Sequence, residues 1–120
     1  MKQDRENPVL DKSYQFALRV VKVFQHLTEE KREWVLSKQF LCSGTSVGAN
    51  VREAVHAQSK KEFIAKLNIA LKEAQESDYW VCLLRDGGYL TVAESLPLLK
   101  DVDELISLLT SIIKSSRNNL

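Results

Sequence analysis

At 120 residues the chain is sized for one domain able to bury roughly two-thirds of its unfolded surface. With 44% apolar and 28% charged residues it has the composition of a folded globular protein, which excludes a disordered chain. Its 17 basic and 16 acidic residues leave a formal charge of +1, so it lacks the basic excess with which a general nucleic-acid binder neutralises phosphates.

Helical periodicity runs throughout, and no β-branched alternation competes with it. The pattern predicts a first helix from Pro8 or Asp11 to about Leu27, and a second from about Lys31 to Ala57. A third should begin near Ser59, where Ser59 and Glu62 have the spacing of a capping box, and stop at Gly87-Gly88. A fourth spans about Val92 to Ser116, with Pro97 placed in its first turns, where a missing N–H costs least. The tail Arg117–Leu120 is expected to fray. Four helices on short connections predict an all-α fold, an antiparallel up-down four-helix bundle, as one domain with its core at about residues 10–115.

Projected at ~100° per residue, the fourth helix gathers Leu98, Leu99, Val102, Leu105, Ile106, Leu109, Ile112 and Ile113 on one arc, facing one core. The first helix carries two apolar stripes: Leu10, Tyr14, Ala17, Val21 and Phe24, and beside them Val9, Phe16, Val20, Val23 and Leu27. Together they are wider than a surface helix needs. Either the helix is deeply buried in the bundle or one stripe meets another subunit; Phe16, Val20, Val23 and Leu27 are the interface candidates.

The second helix holds Cys42-Ser43-Gly44-Thr45-Ser46-Val47-Gly48-Ala49-Asn50 in its interior. Each glycine costs about 1 kcal/mol there relative to alanine, so something must compensate. Close approach of a neighbouring helix is the simplest answer, with Ser43, Gly44 and Gly48 at the contact. A phosphate loop would need a lysine and a serine or threonine after the second glycine, and a strand before it; Ala49-Asn50 follows instead.

Flanking this core arc, Gln39, Ser46, Asn50 and Glu53 align with a stripe of the third helix, Glu62, Lys66, Ile69, Glu73, Glu76 and Trp80. Asn50, Glu53, Lys66, Glu73 and Asp78 are the candidates for a polar network or groove between helices, against the plainer reading of a solvated shoulder. Glu53-Ala54-Val55-His56 has the Glu-x-x-His spacing of dinuclear metal bundles, but His26, the other histidine, has Val23 at the matching position. No metal, cofactor, small-molecule substrate or catalytic group is therefore expected. Cys42 and Cys82 suit neither a zinc site nor a redox pair and read as two buried thiols. The polar N-terminal residues lead into no signal region, and no stretch approaches the ~20 apolar residues of a membrane span, so a cytoplasmic protein without membrane contact is expected.

Leu41–Glu53 (LCSGTSVGANVRE), Ser59–Ala70 and Lys72–Trp80 resemble the four-helix-bundle family of 23S rRNA-intervening-sequence proteins, which also takes in accessory variability determinants of diversity-generating retroelements. The likeness covers about residues 10–115. It implies an antiparallel bundle that assembles into a homopentamer, has no catalytic activity, and has some link to RNA. The retroelement branch implies a strongly basic partner of a reverse transcriptase, and the +1 charge of this chain departs from it. Two functions follow: a non-enzymatic oligomeric scaffold for a macromolecular partner, or a protein associated with RNA or with an RNA-binding partner. For the second, Lys60, Lys61, Lys66 and Lys72 along the third helix are the candidate contacts, with Arg19, Lys22, Lys31, Arg32 and Lys38 nearer the other end. These cations could equally pair with Glu29, Glu33, Glu62 and Glu76 on solvated faces.

Overall fold

The computed structural model describes residues 7–119. Four helices follow in order: α1 (Pro8–Glu29), α2 (Leu36–Val55), α3 (Lys60–Asp86) and α4 (Val92–Asn118). Each start has a visible cause. The Asn7 side chain accepts the Leu10 N–H, and Pro8 occupies the first turn of α1. Ser59 accepts the Glu62 N–H at 3.1 Å, while the Glu62 carboxylate reaches Gln58 N–H rather than that of Ser59, a variant of the expected box. Thr91 and Glu94 form a full reciprocal capping box on α4.

The start of the second helix differs by five residues from the one the periodicity suggests, and the ends of α1, α2 and α4 by two. Residues Lys31 to Val35 do not join α2, because Arg32 adopts φ 57° and Glu33 folds back as a cap. The Glu33 carboxylate accepts the N–H groups of Val35 and Leu36 at 3.0 Å and of Ser37 at 2.7 Å. Burial alone would raise its carboxyl; these backbone donors outweigh burial and hold it below the ordinary glutamate value. Glu33 is thus a helix cap and not a surface partner for lysines. At the other end α4 continues through Asn118, so Arg117 is helical; Leu120 and Met1–Glu6 lie outside the described residues. Pro97 sits further in than the free first turn, so the Ala93 carbonyl loses its intrahelical donor.

Each helix packs on its chain neighbours, and α1 closes the ring against α4. Cross-helix pairs fix the antiparallel sense: Lys12 meets Glu104 and His26 faces Glu94, while Ser43 meets Ser77 and Glu53 meets Lys66. The chain is an up-down four-helix bundle about 47 Å long. Its core is one cluster: Phe16, Val20 and Leu27 of α1, Phe40, Val47 and Val51 of α2, Leu67, Val81 and Leu84 of α3, and Leu98, Val102, Leu105 and Leu109 of α4. Phe16 and Phe40 meet edge to face, with centroids 6.5 Å apart.

This core settles which stripe of α1 faces inward. Phe16, Val20 and Leu27 are at most 1% exposed and Val23 packs against them, so the stripe suggested for a subunit contact fills the bundle's own interior. The apolar residues left outside are Tyr14, Leu18 and Val21, at 47%, 43% and 38% exposure. Sequence projection could not tell the two stripes apart, because either could have faced the core.

Candidate functional site

The small-residue run lies in the middle of α2, with Ser43, Gly44 and Val47 buried. A Cβ placed on Gly44 would stand 2.7 and 2.9 Å from the two methyls of Val20, closer than side chains approach. One on Gly48 would stand 3.2 Å from the backbone oxygen of Ser13. The glycines thus let α1 lie directly on α2, and the dispersion gained along that contact offsets the helix propensity they forgo. On the α3 side, the Ser43 and Ser77 hydroxyl oxygens are 3.0 Å apart, and Ser77 also bonds the Glu73 carbonyl at 2.8 Å. Thr45 and Asn50 bond carbonyls one turn back, at Leu41 and Ser46, which satisfies polar groups inside the helix.

The candidate polar network comes together only in part. Lys66 Nζ lies 3.3 Å from Glu53 Oε1 across the α2–α3 seam, with Glu53 more than half exposed. The Asn50 amide donates within its own helix. Glu73 is half-buried; burial, and then the charge of Glu76, raise its carboxyl above the ordinary glutamate value. Asp78 shares a stripe of α3 with Leu71, which lines a cleft against α4, so it stands on the opposite flank. His56 is the C-cap of α2 and exposed, and the described residues contain no group of three or more His, Cys, Asp or Glu able to hold a metal ion. Cys42 is exposed and Cys82 half-buried, so the expectation of two buried thiols is corrected: Cys42 points off the outer face of α2.

Beside the outward stripe of α1 runs a groove of about 430 Å³ lined by Tyr14, Ala17, Thr45, Gly48, Ala49 and Arg52. It is concave because α2 presents small residues there. The Arg52 guanidinium lies over the Tyr14 ring, 5.9 Å from its centroid. An apolar ridge and a shallow small-residue groove are therefore side by side on the α1–α2 face.

The lysines of α3 separate. Lys60 and Lys61 are exposed at its first turn, where Lys60 donates to the Asn119 carbonyl at 2.9 Å; Lys66 is tied to Glu53, and Lys72 is exposed further along. The antiparallel fold adds cations that reading α3 alone missed: Arg52, Lys114 and Arg117 are at the same end as Lys60 and Lys61. The signal lay in the sequence, since the ends of α2 and α4 must meet the start of α3.

Residues 5–111 match the family model described as 23S rRNA-intervening sequence protein. The chain belongs to that family. A crystal structure of a protein of unknown function from the S23 ribosomal protein family of Bacteroides thetaiotaomicron is 52% identical, with a TM-score of 0.87 over 88% of this chain and 98% of that one. No curated protein matches. The 23S rRNA-intervening sequence family description names no reaction. Among the described residues no helix is long and apolar enough to cross a membrane.

Proposed function

We infer that this 23S rRNA-intervening sequence protein is a non-enzymatic cytoplasmic scaffold that assembles with copies of itself, as a homopentamer, and presents repeated surfaces to a macromolecular partner. The observation that carries this reading is the ridge of Tyr14, Leu18 and Val21, each more than a third exposed, beside the groove at Gly48 and Ala49. A ridge and a groove at different places on one face suit a head-to-tail contact, the kind that closes into a ring when the rotation allows. Trp34 and Val35, at 56% and 72% exposure just before α2, add apolar surface. The test is Leu18→Glu in sedimentation velocity. The wild type should sediment as an assembly and the variant as a smaller species, with helical circular dichroism unchanged because Leu18 is outside the core. Equal sedimentation of the two proteins would remove the ridge from the account.

A second reading, association with RNA or an RNA-bound protein, is favoured by the basic end formed by Arg52, Lys60, Lys61, Lys114 and Arg117. Repeated around a ring, modest patches would gain avidity. Binding to structured rRNA fragments should then weaken steeply as salt rises. A flat salt response would exclude phosphate contact.

A further inference from the structure

At three of the four helix seams the backbones approach closely along their length. The fourth, between α1 and α4, has the fewest close approaches and is laced at its surface by charge. Lys12 Nζ lies 3.0 Å from Glu104 Oε2, Arg19 Nη1 lies 3.2 Å from Asp101 Oδ2, and His26 Nε2 lies 3.7 Å from Glu94 Oε2. In these three pairs the cation or potential cation is on α1 and the acid on α4, while Asp11 of α1 lines the same groove and Lys100 of α4 adjoins Asp101 and Glu104. On α1 the three recur at seven-residue spacing, which keeps them on one flank. His26 adds charge only when protonated, and its Nδ1 lies 2.7 Å from Glu30 Oε2 at the end of its own helix.

Inside the ladder the bundle is packed, with Phe16 and Val20 of α1 and Leu98, Val102 and Leu105 of α4 at most 1% exposed, and the gaps lie at the surface. A groove of about 630 Å³ runs along Lys12, Gln15, Arg19, Asp101 and Glu104, with the core residue Phe16 in its lining. A second, of about 290 Å³, continues past His26 and Glu94 to Leu98 and Pro97, the residue that interrupts the α4 hydrogen bonds. On its other side α1 is held to α2 by the close contact of Val20 with Gly44.

We propose that the α1–α4 seam is the opening line of the bundle, an electrostatic latch that lets α4 part from α1 while α1 stays docked on α2. The two backbones approach less often here than at any other seam, and parting them uncovers Phe16. Exposed ion pairs contribute little each and are screened by salt, so ionic strength sets how often the latch opens. Hydrogen exchange resolves such sub-global openings from global unfolding.

The experiment is hydrogen exchange by mass spectrometry on the full chain at about 0.05 M and about 1 M sodium chloride, between which the screening length falls severalfold. The expected result is exchange roughly tenfold faster at high salt for amides in 94–105, whose helix loses support when it parts and can then open, with the α1–α2 contact at Val20 and Gly44 and the α2–α3 contact around Ser43 and Ser77 unchanged. Lys12→Glu should reproduce that acceleration at low salt, and Lys12→Glu with Glu104→Lys should reverse it. Equal acceleration in all four helices, or none, would overturn the latch. So would a Lys12→Glu protein that exchanges like the wild type; if that variant does not fold, the salt response of the unmutated chain decides.

Discussion

Gly44→Ala is the sharpest single test of how α1 and α2 meet. In an open helix interior the change would stabilise by about 1 kcal/mol, because alanine loses less backbone freedom. Here the new methyl would stand 2.7 and 2.9 Å from the Val20 methyls and 3.2 Å from the Val20 Cβ. Val20 is fully buried, and a β-branched side chain in a helix has one strongly preferred rotamer, so it cannot swing aside. To restore ordinary contact α1 must retreat by about 1 Å, a rigid shift of the overpacking kind that costs about 1–3 kcal/mol. Set against the propensity gain, the net effect should be a loss of about 1 kcal/mol, read as a lower urea midpoint at unchanged slope. The double variant Gly44→Ala with Val20→Ala removes the clash, so the two changes should couple favourably by about 1 kcal/mol or more. A Gly44→Ala protein more stable than the wild type would refute the close-packing account. Gly48→Ala, at 3.2 Å from a backbone oxygen, should shift stability less in either direction.

Glu33→Gln should cost about 1–2 kcal/mol near neutral pH, since a neutral amide oxygen replaces a carboxylate that accepts three N–H groups at the start of α2. Glu33 has a lowered folded-state value, so its contribution is present above the unfolded glutamate value and is lost as pH falls through the folded one; urea midpoints of variant and wild type should converge in acid. Asp101 behaves oppositely, because burial raises its carboxyl more than Arg19 lowers it. Arg19→Met should therefore be most destabilising at neutral pH, by no more than about 1 kcal/mol given the half-exposed guanidinium, and the deficit should shrink as Asp101 takes up its proton; thermal melts across the acid range would show it.

Much of the fold was legible because α1 and α3 carry their own punctuation: Pro8, Ser59 and Gly87-Gly88 all mark real boundaries. The start of α2 was not, because Arg32 at positive φ and the Glu33 cap are set by loop geometry that periodicity does not register. Periodicity gave two apolar stripes on α1 but could not rank them; only the position of α2, drawn in by Gly44, turns Phe16 and Val20 inward. The polar group chosen from spacing held together only at Glu53 and Lys66, since Asn50 bonds its own helix and Asp78 is on the far flank. The charge ladder of the α1–α4 seam went unread although its spacing was present, because pairing between the first and last helices emerges only once the ring closes.

The central claim is self-association, and the mass of the particle in solution tests it most directly. Light scattering of the purified chain at micromolar concentration should return a multiple of the 13.7 kDa protomer, five for a homopentamer. A particle of 13.7 kDa, holding constant as concentration rises, would contradict the account.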